Sequence, residues 1–138
     1  MNAIPAESSM EVDLRSVAPA DLDHLEQHLK STVAESARGA GIGLQIEIIG
    51  DRPSGMTSPL APIVQAALEA TRVFGVEAQL DVGSTDANIP ISLGIPAIAI
   101  GGGGSAGNIH TQEEWIDTSH RDLGIQRLLT IIALLAGI

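Results

Sequence analysis

The stretch Gly83–Trp115, GSTDANIPISLGIPAIAIGGGGSAGNIHTQEEW, constrains the fold more than any other part of the chain. Its centre, Ile95–Ile100, is continuously apolar, and a strand of that kind is ordinarily buried on both faces, as in a parallel sheet covered by helices. A run of glycines follows at once, then His110, the carboxylates Glu113 and Glu114, and the single tryptophan, Trp115. With the residues just before it, the segment predicts a strand over Glu77–Val82, a polar turn, a short helical turn around Ala87–Leu93 and a second strand at Ile95–Ile100. A glycine loop then leads to one histidine delivered into a pocket.

The rest of the chain predicts an α/β arrangement around this segment. Met10–Arg15 alternates as a short strand, with Met10, Val12 and Leu14 on one face. Pro19 suits a helix start, and Asp21 and Asp23 lie in the first turn, where carboxylates complement the helix dipole. Leu22, Leu25, Leu29 and Val33 recur at helical spacing, and Gly39-Ala40-Gly41 closes the helix. Leu44–Ile49 completes a β-α-β unit. Asp51–Ser58 combines proline, glycine and small polar residues and marks a boundary. Beyond it, Ser58-Pro59 opens a helix with Ile63, Val64, Ala67, Leu68 and Thr71 on one face. Pro62 is tolerable there only because it lies near the first turn. Ser119 with Asp122 resembles a capping box for a last helix running to about Ala136.

Composition narrows the partners. The 138 residues are 44% hydrophobic with almost no aromatics, so the core must be aliphatic. A net charge of −10 repels phosphate backbones and argues against nucleic acid and anionic membrane. With no cysteine, thiolate metal sites, disulfides and thiol catalysis are excluded, which fits a cytoplasmic protein. The N-terminus has neither the basic nor the apolar region of a signal peptide. Leu128–Ile138 is about half the roughly 20 residues needed to span a bilayer.

Candidate sites divide sharply. Gly102, Gly104 and Gly107 formally spell G-x-G-x-x-G, but a dinucleotide site needs a helix N-terminus directly after the loop, and none is predicted before Ser119. The better reading is a loop whose missing side chains let backbone approach a ligand closely. His24 and His28 lie one turn apart on a charged helix face with Asp21, Glu26 and Lys30, and a solvated face outranks a metal site. His120 sits at a helix start. Arg15 beside Asp13 reads first as an ion pair, and Arg52 as a solvated loop charge; either could instead offer a forked guanidinium to a substrate carboxylate. Asp86 and Asn88 most simply cap the turn after them. Glu113 and Glu114 read as a polar turn before they read as acid/base residues.

In order and spacing, several of these pieces resemble one metallopeptidase family, that of glutamate-type carboxypeptidases, acetylornithine deacetylase, succinyl-diaminopimelate desuccinylase and the aminotripeptidases. They are Asn2-Ala3-Ile4-Pro5, Val12-Asp13-Leu14-Arg15, Gly50-Asp51-Arg52-Pro53, Gly83-Ser84-Thr85-Asp86-Ala87, Gly94-Ile95-Pro96, and His110 with its trailing acidic residues. The resemblance runs over nearly the whole chain. It implies two lobes, with residues 1–54 the second half of an α+β lid that forms the dimer contact. Residues 55–138 would be the C-terminal part of an α/β catalytic domain that carries two zinc ions.

On that template His110 corresponds to a ligand of one zinc. Asn2 and Arg15 match lid positions near the substrate carboxylate or reacting carbonyl, Arg52 matches a carboxylate-binding arginine, and Ser84 and Thr85 lie in a substrate-lining turn. The family's H-x-D pair, bridging aspartate, Glu-Glu pair and remaining carboxylate ligand precede the matching segment and have no counterpart here. The expectation is therefore the C-terminal portion of a zinc-dependent peptidase or amidohydrolase, inactive alone and prone to self-association. The rival expectation is a non-catalytic α/β dimerisation or interaction module.

Overall fold

The structure, a computed structural model, describes residues 5–138. It contains helices together with a small antiparallel sheet, a mixed α and β protein. The chain divides into two compact units between Ser54 and Gly55, within the proline- and glycine-containing Asp51–Ser58.

The first unit is organised by α1, Pro19–Ala40. Pro19 supplies the fixed φ of a first-turn residue and gives up an amide the helix would leave unpaired. The helix stops where Gly41 turns left-handed at φ 68°, and the amides of Gly41 and Ile42 return to the last-turn carbonyls of Arg38 and Ala37 at 3.2 and 3.0 Å. That geometry is nearly free for glycine and costly for a residue with a Cβ. Of the predicted apolar stripe, Leu22, Leu29 and Val33 are half-buried on the side where Ala37 is buried, while Leu25 is exposed.

The two strands predicted beside α1 form no ladder among the described residues. Met10–Arg15 and Leu44–Ile49 have strand-like alternation, but alternation specifies only which face would be buried. A strand also needs a neighbouring backbone to take its amides and carbonyls. Without one, Ile46 and Ile48 remain 48% and 61% exposed.

In the second unit, α2 spans Pro62–Val73, α3 Asn88–Ser92 and α4 Arg121–Ala136. Between α3 and α4 lie β1, Ser105–Gly107, and β2, Trp115–Asp117, paired antiparallel with Ala106 opposite Ile116. α2 begins at Pro62 rather than at Pro59. The Ser58 carbonyl accepts from the Ala61 amide at 2.9 Å and closes a turn first, which leaves Pro62 as the first helical residue. α2 packs on α4, and the core consists of Ala66, Ala67, Ala70 and Ile131, with Ile98 against it. Alanines at the contact let the helices approach closely, and Ala70 is fully enclosed. The buried Thr71 hydroxyl is satisfied by donating to the Ala67 carbonyl at 2.7 Å.

The predicted strands Glu77–Val82 and Ile95–Ile100 also lack ladders among the described residues. At Ala97 a side chain takes a strand's place. The Thr57 hydroxyl donates to the Ala97 carbonyl at 2.6 Å and accepts from the Ala97 amide at 3.1 Å.

α4 is apolar nearly all round, a pattern suited to burial on several sides. Only Ile131 is buried, while Leu129, Ile125 and Ile132 are 60%, 60% and 53% exposed. These exposed apolar side chains, together with the unpaired segments, lead to an expectation of self-association. Light scattering at tens of micromolar should give a mass above one chain; a monomer would contradict it. No helix is long and apolar enough to cross a membrane among the described residues.

Candidate functional site

His110 sits in the loop between β1 and β2. The pairing of Gly107 with Trp115 closes a loop over Asn108–Glu114. The indole of Trp115 lies so close over Gly107 that a Cβ there would fall 2.6 Å from Nε1, which explains the small residue opposite the large one. Asn108 and His110 both adopt left-handed backbone, at φ 53° and 67°. Asparagine and histidine are both among the few non-glycine residues that enter this region comparatively readily. His110 is not delivered into a pocket as expected: the hairpin leaves the residue exposed. Glu113 and Glu114 are exposed in the same loop.

The glycine loop does not wait open for a ligand. Gly103 and Gly104 are left-handed, at φ 87° and 82°, and an added Cβ would meet the His120 carbonyl oxygen at 2.9 Å or the Asp117 carbonyl oxygen at 2.2 Å respectively. From the other side, a Cβ on Gly124 would fall 2.1 Å from the Gly102 oxygen. Nη2 of Arg127 donates to the Gly101 carbonyl. The missing side chains therefore admit the end of β2 and the first turns of α4.

The start of α4 also differs from the predicted capping box. The Ser119 amide donates to the Asp117 carboxylate at 2.9 Å, and His120, left-handed at φ 64°, is the N-cap with no side-chain cap. Asp117, two residues back, thereby draws the Ser119 backbone into a turn before the helix begins. The Ser119 amide and then its hydroxyl, with His120 nearby, hold the Asp117 carboxyl below its ordinary value.

The remaining candidates divide between the units. In the first, Arg15 donates to a single oxygen of Asp13 through Nε and Nη2, at 2.8 and 2.6 Å. This hydrogen-bonded pair lowers the Asp13 carboxyl and raises the guanidinium. Both side chains are largely exposed, at 74% and 66%, where such pairs add little stability. Arg52 is exposed, and Asn2 lies outside the described residues. His24 and His28 lie exposed along α1, and Lys30 pairs with Glu26 on the same helix.

In the second unit, Thr85 opens α3. Its amide donates to Asn88 Oδ1 at 2.9 Å and its hydroxyl accepts from the Ala87 amide at 3.2 Å. Asn88 thus reaches back to the residue before the turn, and Ala87 stands at the N-cap. Ser84 precedes it, exposed. A cleft of about 120 Å³ lies between Met56, Thr57, Ile91, Ile95 and Pro96, smaller than the roughly 300 Å³ at which ligand pockets begin.

Zinc is the group that the resemblance implies. No cluster of three or more His, Cys, Asp or Glu able to hold a metal exists among the described residues. A catalytic zinc takes three protein ligands and an open position. The described residues do not supply that set. The β1–β2 hairpin and its left-handed residues went unread in the sequence. Gly107-Asn108 before a polar run, with Trp115-Ile116 beyond it, was the available signal. No family model matches the chain, and no curated protein matches it.

Proposed function

We propose that the chain is the C-terminal portion of a zinc-dependent cytoplasmic hydrolase that cleaves the amide bond of a peptide or an N-acyl amino acid. Its residues up to 54 belong to a lid that pairs two copies, and residues 55–138 to a catalytic α/β domain. His110 contributes one zinc ligand. Asn2, Arg15, Arg52, Ser84 and Thr85 contact substrate, the arginines at its carboxylate. The observation that carries this reading is the ordered series of motifs ending in His110. The exposed position of that residue on a hairpin supports it, since a ligand completed by another part of a protein has to be accessible. The other ligands and the general base come from polypeptide outside these residues.

Two measurements test the reading. Purified and dialysed, the chain is expected to hold far less than one zinc per molecule. Equimolar zinc that disappears in His110→Ala would overturn the incomplete site. Co-expression with a polypeptide carrying H-x-D and Glu-Glu segments should then produce zinc uptake and amide hydrolysis, both lost in His110→Ala. Failure of that assembly to take up zinc would sink the enzyme reading.

A second reading is favoured by a separate observation, the uncovered apolar surface of α4 and the unpaired segments. On it the chain is an α/β interaction module that pairs through these surfaces without metal chemistry. Self-association with no zinc uptake in the assembly would select it.

A further inference from the structure

The loop that carries His110 is held by its own neighbours. Thr111 donates its hydroxyl to the Asn108 carbonyl at 2.7 Å, and its amide donates to the same oxygen at 3.1 Å. The Thr111 hydroxyl also accepts from the Glu113 amide at 3.3 Å. Asn108 Nδ2 donates across the loop to the Glu113 carbonyl at 3.3 Å, and the Glu114 amide donates to the Thr111 carbonyl at 3.3 Å. These bonds tie positions 108, 111, 113 and 114 together around His110. Every one of them comes from a residue other than His110, whose backbone is left-handed at φ 67° while the residue stays exposed. Histidine enters that region more readily than most non-glycine residues but still at a cost, so its surroundings decide whether it stays there. Here the surroundings are the two side chains that close the loop on either side.

We propose that Thr111 and Asn108 are positioning residues that lock the β1–β2 loop with His110 left-handed, so that its Cα–Cβ bond leaves the hairpin in one preformed direction. This deepens the hydrolase reading and rests on it for the purpose of the imidazole, while the lock itself is a property of this chain. A preformed loop backbone needs no ordering when its partner arrives, which is the advantage of pre-organisation. Thr111 is central because one hydroxyl both donates and accepts. Valine keeps its shape and loses both bonds, and serine keeps both bonds and loses only a methyl group.

The experiment is backbone NMR of the full chain with Thr111→Val, Thr111→Ser and Asn108→Ala. In the unsubstituted chain, intraresidue amide–Hα contacts and couplings should report positive φ at Asn108 and His110, with ordered amides across the loop. Thr111→Val should lose the left-handed signature at His110 and the amide order, while cross-strand contacts between Ser105 and Asp117 persist. Thr111→Ser should restore both. A left-handed, ordered His110 in Thr111→Val, or no rescue by serine, would overturn the proposal.

Should valine also cost the hairpin its cross-strand contacts, Asn108→Ala reads the same coupling, since it retains the Thr111 side chain. It should loosen His110, and an unchanged His110 there would overturn the proposal. None of these readouts involves metal or activity. A His110 that is locked yet dispensable for zinc uptake would sink the hydrolase reading alone, and a required but unlocked one would sink only the lock.

Discussion

Gly124→Ala is expected to destabilise the second unit by about 2 kcal/mol, the cost typical of forcing extra atoms into a packed site. Helix propensity alone points the other way, because alanine in a helix is favoured over glycine by about 1 kcal/mol. The sign reverses because the new Cβ would fall 2.1 Å from the Gly102 oxygen and 2.5 Å from its carbonyl carbon. Those are backbone atoms, so relief requires the glycine loop to leave α4 and Arg127 to release the Gly101 carbonyl. The fluorescence of Trp115, the only tryptophan, follows the second unit during denaturation. The midpoint should fall by roughly 10 °C, given about 4–8 °C per kcal/mol for a domain of this size. Gly39→Ala in the last turn of α1 is the control. Nothing lies within 4 Å of its added Cβ, so it should stabilise the first unit by about 0.5–1 kcal/mol. A Gly124→Ala variant as stable as the parent would mean that the loop is not packed on the helix.

The second large effect concerns the arginines in an active assembly of this chain with its complementing polypeptide. If Arg15 and Arg52 clamp a substrate carboxylate, alanine at either removes charge-assisted hydrogen bonds worth roughly 1.5–3 kcal/mol. The expected loss is about ten- to hundredfold in kcat/KM. On a substrate whose carboxylate is amidated the loss should nearly vanish, because the partner charge is already absent. Asp13 does not prevent this role for Arg15. It engages Nε and Nη2, and the guanidinium has further donors at Nη1. Zinc content should be unaffected in both variants, whereas His110→Ala should deplete metal and lower turnover on both substrates alike. Equal losses on the free-acid and amidated substrates would return Arg15 to its ion pair with Asp13 and Arg52 to its loop.

The legible parts of the fold were those in which the reason for a conformation lies within a few residues. Pro19 and Gly41 bound α1 because one fixes φ and gives up an amide while the other enters left-handed backbone at little cost. The α3 turn and the end of α4 at Ala136 follow from equally local chemistry. The start of α4 did not follow from its capping pattern. Ser119 was a plausible cap until Asp117 took its amide, and two local hydrogen-bonding options of similar strength cannot be ranked from composition.

Within the candidate site, the sequence singled out His110 and set it beside a glycine loop and a pair of carboxylates. It did not disclose that Asn108 and Thr111 close a hairpin around that histidine, or that Gly107 makes room for Trp115. Those features depend on β1 meeting β2, and each strand is too short to announce itself by alternation. The paired Arg15 and Asp13 were readable because they are near neighbours in the chain.

The sequence by itself determined both ends of α1, the end of α4 and which residue types are available for chemistry. These are properties of single residues and of the helical repeat. Only the tertiary structure decided which apolar runs become paired strands, because a ladder needs a second backbone that no local pattern supplies. Ile95–Ile100 is continuously apolar, yet at Ala97 its amide and carbonyl turn to the Thr57 hydroxyl. The glycines were likewise visible as a loop, but what they make room for was settled by packing: the carbonyls of Asp117 and His120 and the backbone of Gly124 occupy the space that side chains would need.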